Sequence, residues 1–348
     1  MLTGAILSIG QSSRAFHGAG SSWGRIYEPG MLGGSPMVCV EVLGTSALER
    51  IVEKLRRDGV ELVTVLVRDE YSPPAQRLAQ KAVKIKQVPP AIDLWSAAEC
   101  VLREYVQQGV QYILMSTVGA YAEFDFAQIV RFHHERKQGL TSVVDEHGHL
   151  ELWVVDAKRV VATRAVGLNR LMDFTADDAA ASYPLRGYVN RLRTVGDLRH
   201  LVIDAFGSRC SIRPQGREVR PGIWFGDGAR AHRHARIAAP AYLGGGARLR
   251  ANTVVTGFST VERGCDVHNN TVIEDASVLA NTYVGRGLNV SHAVIDGNRL
   301  LPLGRNLVVE IQDSKLLHRT LPLDTPRTMA GGAASPSLAE RLLATAWN

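Results

Sequence analysis

Apolar residues recur at every sixth position through the second half of the chain. Phe225, Ala231, Ile237, Leu243, Leu249, Val255, Val261, Val267, Ile273 and Leu279 are evenly spaced. After Leu279 the interval shortens by one residue, and the rhythm continues through Val284, Val290 and Ile295. A second row runs two residues ahead of the first, through Ala229, Ala235, Ala241, Ala247, Thr253, Ser259, Cys265, Thr271 and Ser277, and every member is small. Neither the 3.6-residue period of an α-helix nor the two-residue period of an ordinary strand fits. A six-residue period fits a coil of three short strands that stacks on its neighbours. The pattern therefore predicts a left-handed parallel β-helix over 208–317, with its repeat core at 223–296. Each stacked aliphatic side chain would contribute roughly 1.5–3 kcal/mol on burial. Gly226, Gly244, Gly257, Asn269 and Gly285 suit the tight corners.

The first half alternates differently. Ala5–Ile9, Glu61–Val67, Gln111–Met115, Thr141–Val144 and Leu150–Val155 read as strands, and Ala47–Arg57, Asp93–Gln107 and Phe126–Lys137 as helices, with Gly139 after the last. This βαβ rhythm predicts an α/β domain over 1–207 with a largely parallel sheet. Beyond it and the repeats, 318–348 reads as a Pro/Gly/Ala-rich linker and a short helix opened by the capping box Ser337–Glu340.

Bulk properties narrow the picture. The chain has 348 residues, enough for two domains, with 45% apolar and 21% charged residues. No apolar run approaches the roughly eighteen residues needed to span a bilayer, so no membrane partner is expected. Met1–Gly10 has no basic leader and reads as a first strand, not a signal peptide. Cys39, Cys100, Cys210 and Cys265 lie far apart without a CxxC pair, which fits a reducing cytoplasm better than a zinc site or a disulfide framework. The net charge is +6, but the arginines are scattered and no block of five basic residues occurs, so nucleic acid is not an expected partner.

Three segments carry a family resemblance. Ala5-Ile-Leu-Ser-Ile-Gly-Gln-Ser-Ser-Arg14 looks like the opening strand and loop A-I-L-A-A-G-x-G-T-R. Gly34-Ser-Pro-Met-Val-Cys-Val40 with Gly44-Thr-Ser-Ala-Leu-Glu49 looks like P-K-P-M-x-P-V followed by G-[KR]-P-[LM]-[LI]-E. Gly187-Tyr-Val-Asn-Arg-Leu-Arg-Thr194 with Asp197-Leu198 looks like G-Y-W-x-D-I-G-T-x-x-D-[LY]. Together with the repeats, these segments resemble the sugar-1-phosphate nucleotidyltransferases of the mannose-1-phosphate guanylyltransferase type, over roughly residues 3–300. The resemblance implies a Rossmann-like nucleotidyltransferase domain and a reaction that joins a nucleoside triphosphate to a sugar 1-phosphate with magnesium.

The chemistry that the resemblance implies is eroded. Gly10, Gln11, Ser12, Ser13 and Ser35 fall on nucleotide-binding positions, and Arg14 is the only retained candidate for catalysis. Ser12 and Ser13 replace the loop's Gly-Thr, and Ser35 replaces a lysine whose charge it cannot supply. Ser116–Ala122, where a metal carboxylate would follow a strand, holds no Asp or Glu, and the second metal position is Arg191, with Arg193 where a glycine belongs. The E-K-P turn of the sugar-phosphate pocket has no equivalent. Asp145–His149 reads as a polar turn, not a metal site, and His133 and His134 as a solvated helix face.

The leading expectation is a non-catalytic regulatory or scaffold homologue, connected with nucleotide-sugar or polysaccharide biosynthesis. It would need no cofactor and no metal, could bind a nucleotide or nucleotide sugar, and would assemble with itself or with an active paralogue. The alternative is an active enzyme using Mg²⁺ through rerouted ligands such as Glu123 or Asp125. A weaker alternative is a hexapeptide acyltransferase using His232, His234, His268 or His292 as general base.

Overall fold

The structure, a computed structural model, describes residues 2–10, 30–69, 71, 75–137, 139–157, 159, 181–305 and 307–320. The expected C-terminal helix and Gln11, Ser12, Ser13 and Arg14 lie outside these residues.

Strand β1 (Thr3–Ile9) is followed by two hairpins, β2 (Met31–Leu32) with β3 (Ser35–Pro36) and β4 (Glu41–Val42) with β5 (Thr45–Ser46). Helix α1 (Ala47–Arg57) starts where Ser46 and Glu49 close a reciprocal capping box, and its stripe Leu48, Ile51, Val52 and Leu55 is buried. The chain continues through β6 (Leu62–Arg68), α2 (Ala75–Gln80), β7 (Lys84–Val88), α3 (Leu94–Gln107) and β8 (Tyr112–Thr117). Then come β9 (Tyr121–Ala122), α4 (Phe126–Arg136), β10 (Leu140–Asp145), β11 (Gly148–Asp156), β12 (Ala181–Pro184), β13 (Val189–Asn190) and α5 (Val195–Phe206). Asp93 and Asp125 cap α3 and α4. Lys137 ends α4 in a left-handed conformation, φ 52°.

Seven strands form one mixed sheet in the order β12-β10-β11-β8-β1-β6-β7. β1 is central and parallel to both β6 and β8, while β11 runs antiparallel to β8 and β10. The N-terminal part is thus an α/β domain. Strand β7 was not read from the sequence because Lys84-Ile-Lys-Gln-Val88 is a largely polar edge strand.

From Ile223 onward short parallel strands stack in three sheets, an arrangement compatible with a β-helix. Strand β14 (Arg217–Arg220) pairs antiparallel with β15 (Ile223–Phe225), which starts the first sheet. Strands β16 (Arg230–Ala231) and β17 (Arg236–Ile237) start the other two. Each pairs with the strand eighteen residues on: Phe225 with Leu243, Ala231 with Leu249 and Ile237 with Val255. The buried row continues through Val261, Val267 and Ile273.

The row then departs from the expected rhythm. Val261 pairs with Val278, not Leu279, and Val278 pairs with Ile295. The missing residue falls between Ile273 and Val278, one hexapeptide earlier than the periodicity predicts. Ala276, not Ser277, is therefore the small residue two positions before the inward Val278, and Ser277 pairs with Thr260. Leu279 is released from the stack and packs instead in the core of the α/β domain, with Tyr242, Val294 and Leu301. One apolar core therefore runs across the boundary between the two parts.

Two polar contacts fix that boundary. Glu262, 1% exposed, accepts hydrogen bonds from the amides of Leu43 (2.8 Å) and Gly44 (3.0 Å) at the turn of the β4–β5 hairpin. Both turn residues have positive φ, 53° and 89°, and a Cβ on Gly44 would lie 2.5 Å from the Tyr242 hydroxyl. Arg199 on α5, 2% exposed, donates to the carbonyls of Phe258 (2.7 Å) and Gly257 (3.1 Å) and to Asp275 Oδ1 (2.6 Å). It grips the corner just before the shortened interval.

Burial and the nearby Glu41 push the Glu262 carboxyl up to about 8, while the two amides and Arg50 pull it down. The folded chain then holds a proton that the unfolded chain has released, so this contribution is full at pH below about 4.5 and is lost as pH rises through about 8. Thermal melts between these limits should show the wild type losing stability with rising pH. Glu262→Gln should be less stable throughout, because its amide group faces donor amides, and should have a flatter pH slope. Parallel slopes would contradict the assignment.

Candidate functional site

The sheet has a switch point between β1 and β8, since the chain leaves β1 for β6 on one side and returns to β8 on the other. In open α/β sheets ligands bind outside the carboxyl ends of the strands at such a point. Gly10 ends β1 there with φ 146°, and a Cβ at that position would lie 3.0 Å from Arg68 Cγ and 3.2 Å from Leu94 Cδ1. Arg68 is itself fixed by donating to the Ile92 carbonyl (2.7 Å).

The end of β8 carries no charge. Val118 is buried, and its amide donates to the Ser8 carbonyl (2.8 Å). Leu7, Ser116, Thr117, Ala120, Phe124 and Leu152 help line a cavity of about 20 Å³ at this place. That is room for about one water, not for a triphosphate or a sugar.

Arg191, which stands where the resemblance would place a metal carboxylate, has structural work of its own. Arg191 pairs with Asp145 and donates to the carbonyls of His149 (3.3 Å) and Gly148 (3.3 Å), so it closes the β10–β11 turn. Asp145 is only 8% exposed, which strengthens the pair. The polar turn expected at Asp145–His149 is present, with Gly148 at φ 107°. Arg193 donates its amide to Asp197 (2.9 Å), and its carbonyl holds the Gly30 amide (2.9 Å).

The rerouted ligands are also engaged elsewhere. Asp125 caps α4 through the Gln128 amide (3.2 Å). Glu123 Oε1 accepts from the Ser211 amide and hydroxyl (2.6 Å each) and from the Tyr121 hydroxyl (3.0 Å). Among the described residues no three His, Cys, Asp or Glu side chains gather into a metal-sized cluster. With a guanidinium at one position where the resemblance would place a metal ligand and no carboxylate at the other, the described residues do not fit a magnesium ion there.

Ser35 faces a different space. It lines a cleft of about 380 Å³ between the β2–β3 hairpin and the stacked strands, with Glu41, Asp296, Asn298, Arg299 and Arg319. The hairpin rests so closely on the stack that a Cβ on Gly33 would meet Asp296 Oδ2 at 2.2 Å. Sequence reasoning missed this cleft because its two walls lie more than 230 residues apart.

The histidines divide as well. His133 is buried against Thr141 (2.8 Å), contrary to the expected solvated face, and burial pushes its imidazole pKa down. His134 meets the Tyr112 hydroxyl (2.9 Å). His292 is 71% exposed and bonds Asp275 Oδ2 (2.5 Å), while Arg199 holds the other carboxylate oxygen. His232 and His234 are exposed with their rings 5.1 Å apart.

The three resemblance segments thus split into two kinds of residue. Glu49 completes the cap of α1, Thr194 and Asp197 form the capping box of α5, and Gly44 makes the hairpin turn. A Cβ on Gly187 would strike the Glu123 carbonyl at 2.0 Å. The matching residues do architectural work, and the described positions that depart from the motif are those where the resemblance would place phosphate and metal chemistry. No protein-family model matches the chain, and no curated protein sequence matches it.

Replacing Arg191 with Ala should cost about 1–3 kcal/mol, because the partly buried Asp145 carboxylate would lose its partner. Chemical denaturation measures this directly, and a loss under about 1 kcal/mol would show that the pair is a dispensable surface contact.

Proposed function

We propose that this chain is a nucleotidyltransferase-like protein that has lost catalysis and serves as a regulatory or scaffold subunit in nucleotide-sugar or polysaccharide biosynthesis. The observation that carries this reading is Arg191, fastened to Asp145 where the resemblance calls for a magnesium-binding carboxylate. The near-filled, uncharged cavity beside Val118 supports it. In this reading the α/β domain is of the Rossmann-like nucleotidyltransferase type and the stacked strands are a left-handed β-helix, as the six-residue period suggests. The protein works in the cytoplasm and assembles with itself or with an active paralogue. Among the described residues no helix is long and apolar enough to cross a membrane.

A nucleotide or nucleotide-sugar ligand would find more room in the cleft beside Ser35 than at the strand ends. Arg299 and Arg319 on one wall would meet phosphate, and Ser35 and Asn298 would meet hydroxyl groups. Occupancy there would bias the relative positions of the two parts, which is a means of regulation and not of catalysis.

The test is a pyrophosphate-release assay over triphosphate and sugar 1-phosphate pairs with magnesium, run beside a thermal-shift panel of nucleotides and nucleotide sugars. No release is expected from any pair. A thermal shift that persists without magnesium and is lost in Arg299→Ala supports a sensor; no shift leaves a scaffold. Turnover of even ~1 s⁻¹ would overturn the proposal.

A further inference from the structure

Among the described residues, nothing covers the end of the first coil of the strand stack. Strand β15 is covered by β14, but β16 and β17 are edge strands of their sheets. The amides of Arg230 and His232 donate inward to the Ala247 and Leu249 carbonyls (2.8 and 2.9 Å), and those of Arg236 and Ala238 to Thr253 and Val255 (2.8 and 2.9 Å). Strand alternation therefore turns the amide and carbonyl of Ala231 and of Ile237 toward the open end. Ala231, a member of the inward row, is exposed, and Ile237 is only half-buried. An unpaired edge over a partly covered core is the kind of end that stacked-strand proteins cap.

The same end collects positive charge. Residues 217–236 hold five arginines and two acidic residues, a net of +3 within a chain whose total is +6. Of the two acids, Glu218 is engaged by the Gly222 amide (2.7 Å). These five arginines lie on the first coil and on β14, which adjoins it. Arg230 stands in register with Arg248 on the next strand, a like-charged pair about 4.8 Å apart along the sheet. Such a pair is unfavourable, and Asp266, in register on the far side of Arg248, offsets it there but leaves Arg230 without an acidic neighbour in the ladder. Arg230, Arg233, Arg236 and Arg248 are all exposed and have no ion pair among the described residues. Farther down the stack the pattern differs, since Arg250 is paired with Asp266 (2.6 and 2.8 Å).

We infer that this open end binds an acidic, extended segment of a partner protein, which adds a strand to β16 and continues around the corner toward β17. Backbone pairing with Ala231 supplies the affinity, and carboxylates over Arg230 and toward Arg233 and Arg236 supply the choice of partner. Two copies of this chain cannot meet symmetrically through this end, because the like charges would face each other. The inference does not depend on whether the strand-end site is catalytic.

The full-length protein can be tested with a labelled peptide of alternating glutamate and valine, read by fluorescence anisotropy. An alternating lysine–valine peptide and a single-stranded oligonucleotide serve as comparisons. The acidic peptide should bind, with affinity falling as salt rises. The triple variant R230E/R233E/R236E should weaken binding by at least about tenfold while its melting temperature holds. Ala231→Pro removes an edge amide that no internal bond uses, so the fold should tolerate it and the peptide should bind far less well. Absence of acidic-peptide binding overturns the inference. So does undiminished binding to Ala231→Pro, or stronger binding of the oligonucleotide, because either result reduces the end to a general polyanion surface.

Discussion

A single buried carboxyl group sets the relation between the two halves of this protein. Glu262 leaves the strand stack at a corner and accepts both amides of the Leu43–Gly44 turn. A turn buried against another domain would otherwise leave two donors unsatisfied, each costing about 1–3 kcal/mol. The glycine allows the turn to approach Tyr242, and that approach lets Leu279 enter the core of the α/β domain. Arg199 performs the reciprocal task from α5, reaching from the α/β domain to the carbonyls of a stack corner. Burial pushes the Asp275 carboxyl up, but Arg199 and His292 outweigh it and bring the carboxyl below its ordinary value, so this contact is an ion pair at neutral pH. With these contacts in place the two parts share one core and the cleft beside Ser35 has two firm walls.

Local signals were the legible ones. α1, α3 and α4 fall within a residue of the boundaries read from sequence, because Ser46, Asp93 and Asp125 announce their starts. The six-residue row gave the strand stack and its pairing as far as Ile273. It misplaced the shortened interval because Val278 and Leu279 are both aliphatic and adjacent, and periodicity alone cannot say which points inward. Helix α5 is masked in the sequence because Thr194 and Asp197, its capping box, coincide with the motif that the resemblance supplies.

Long-range chemistry was illegible for a physical reason. Nothing near Glu262 in sequence marks it as different from other outward polar residues of the repeats, since its partners are more than 200 residues away. Sequence reading did find that Arg191 stands where a metal ligand would be expected. The structure adds what the arginine does instead, which is to close a turn with Asp145.

The account rests on the claim that the joint between domains, and not the strand-end crevice, is the intact working part. Hydrogen exchange at the Leu43 and Gly44 amides tests it most directly. In the wild type both amides should exchange only on global unfolding, as slowly as the central amides of β1. In Glu262→Ala they should exchange much faster while β1 stays protected. Rapid exchange of Leu43 and Gly44 in the wild type, at the rate of an exposed hairpin turn, would contradict the account.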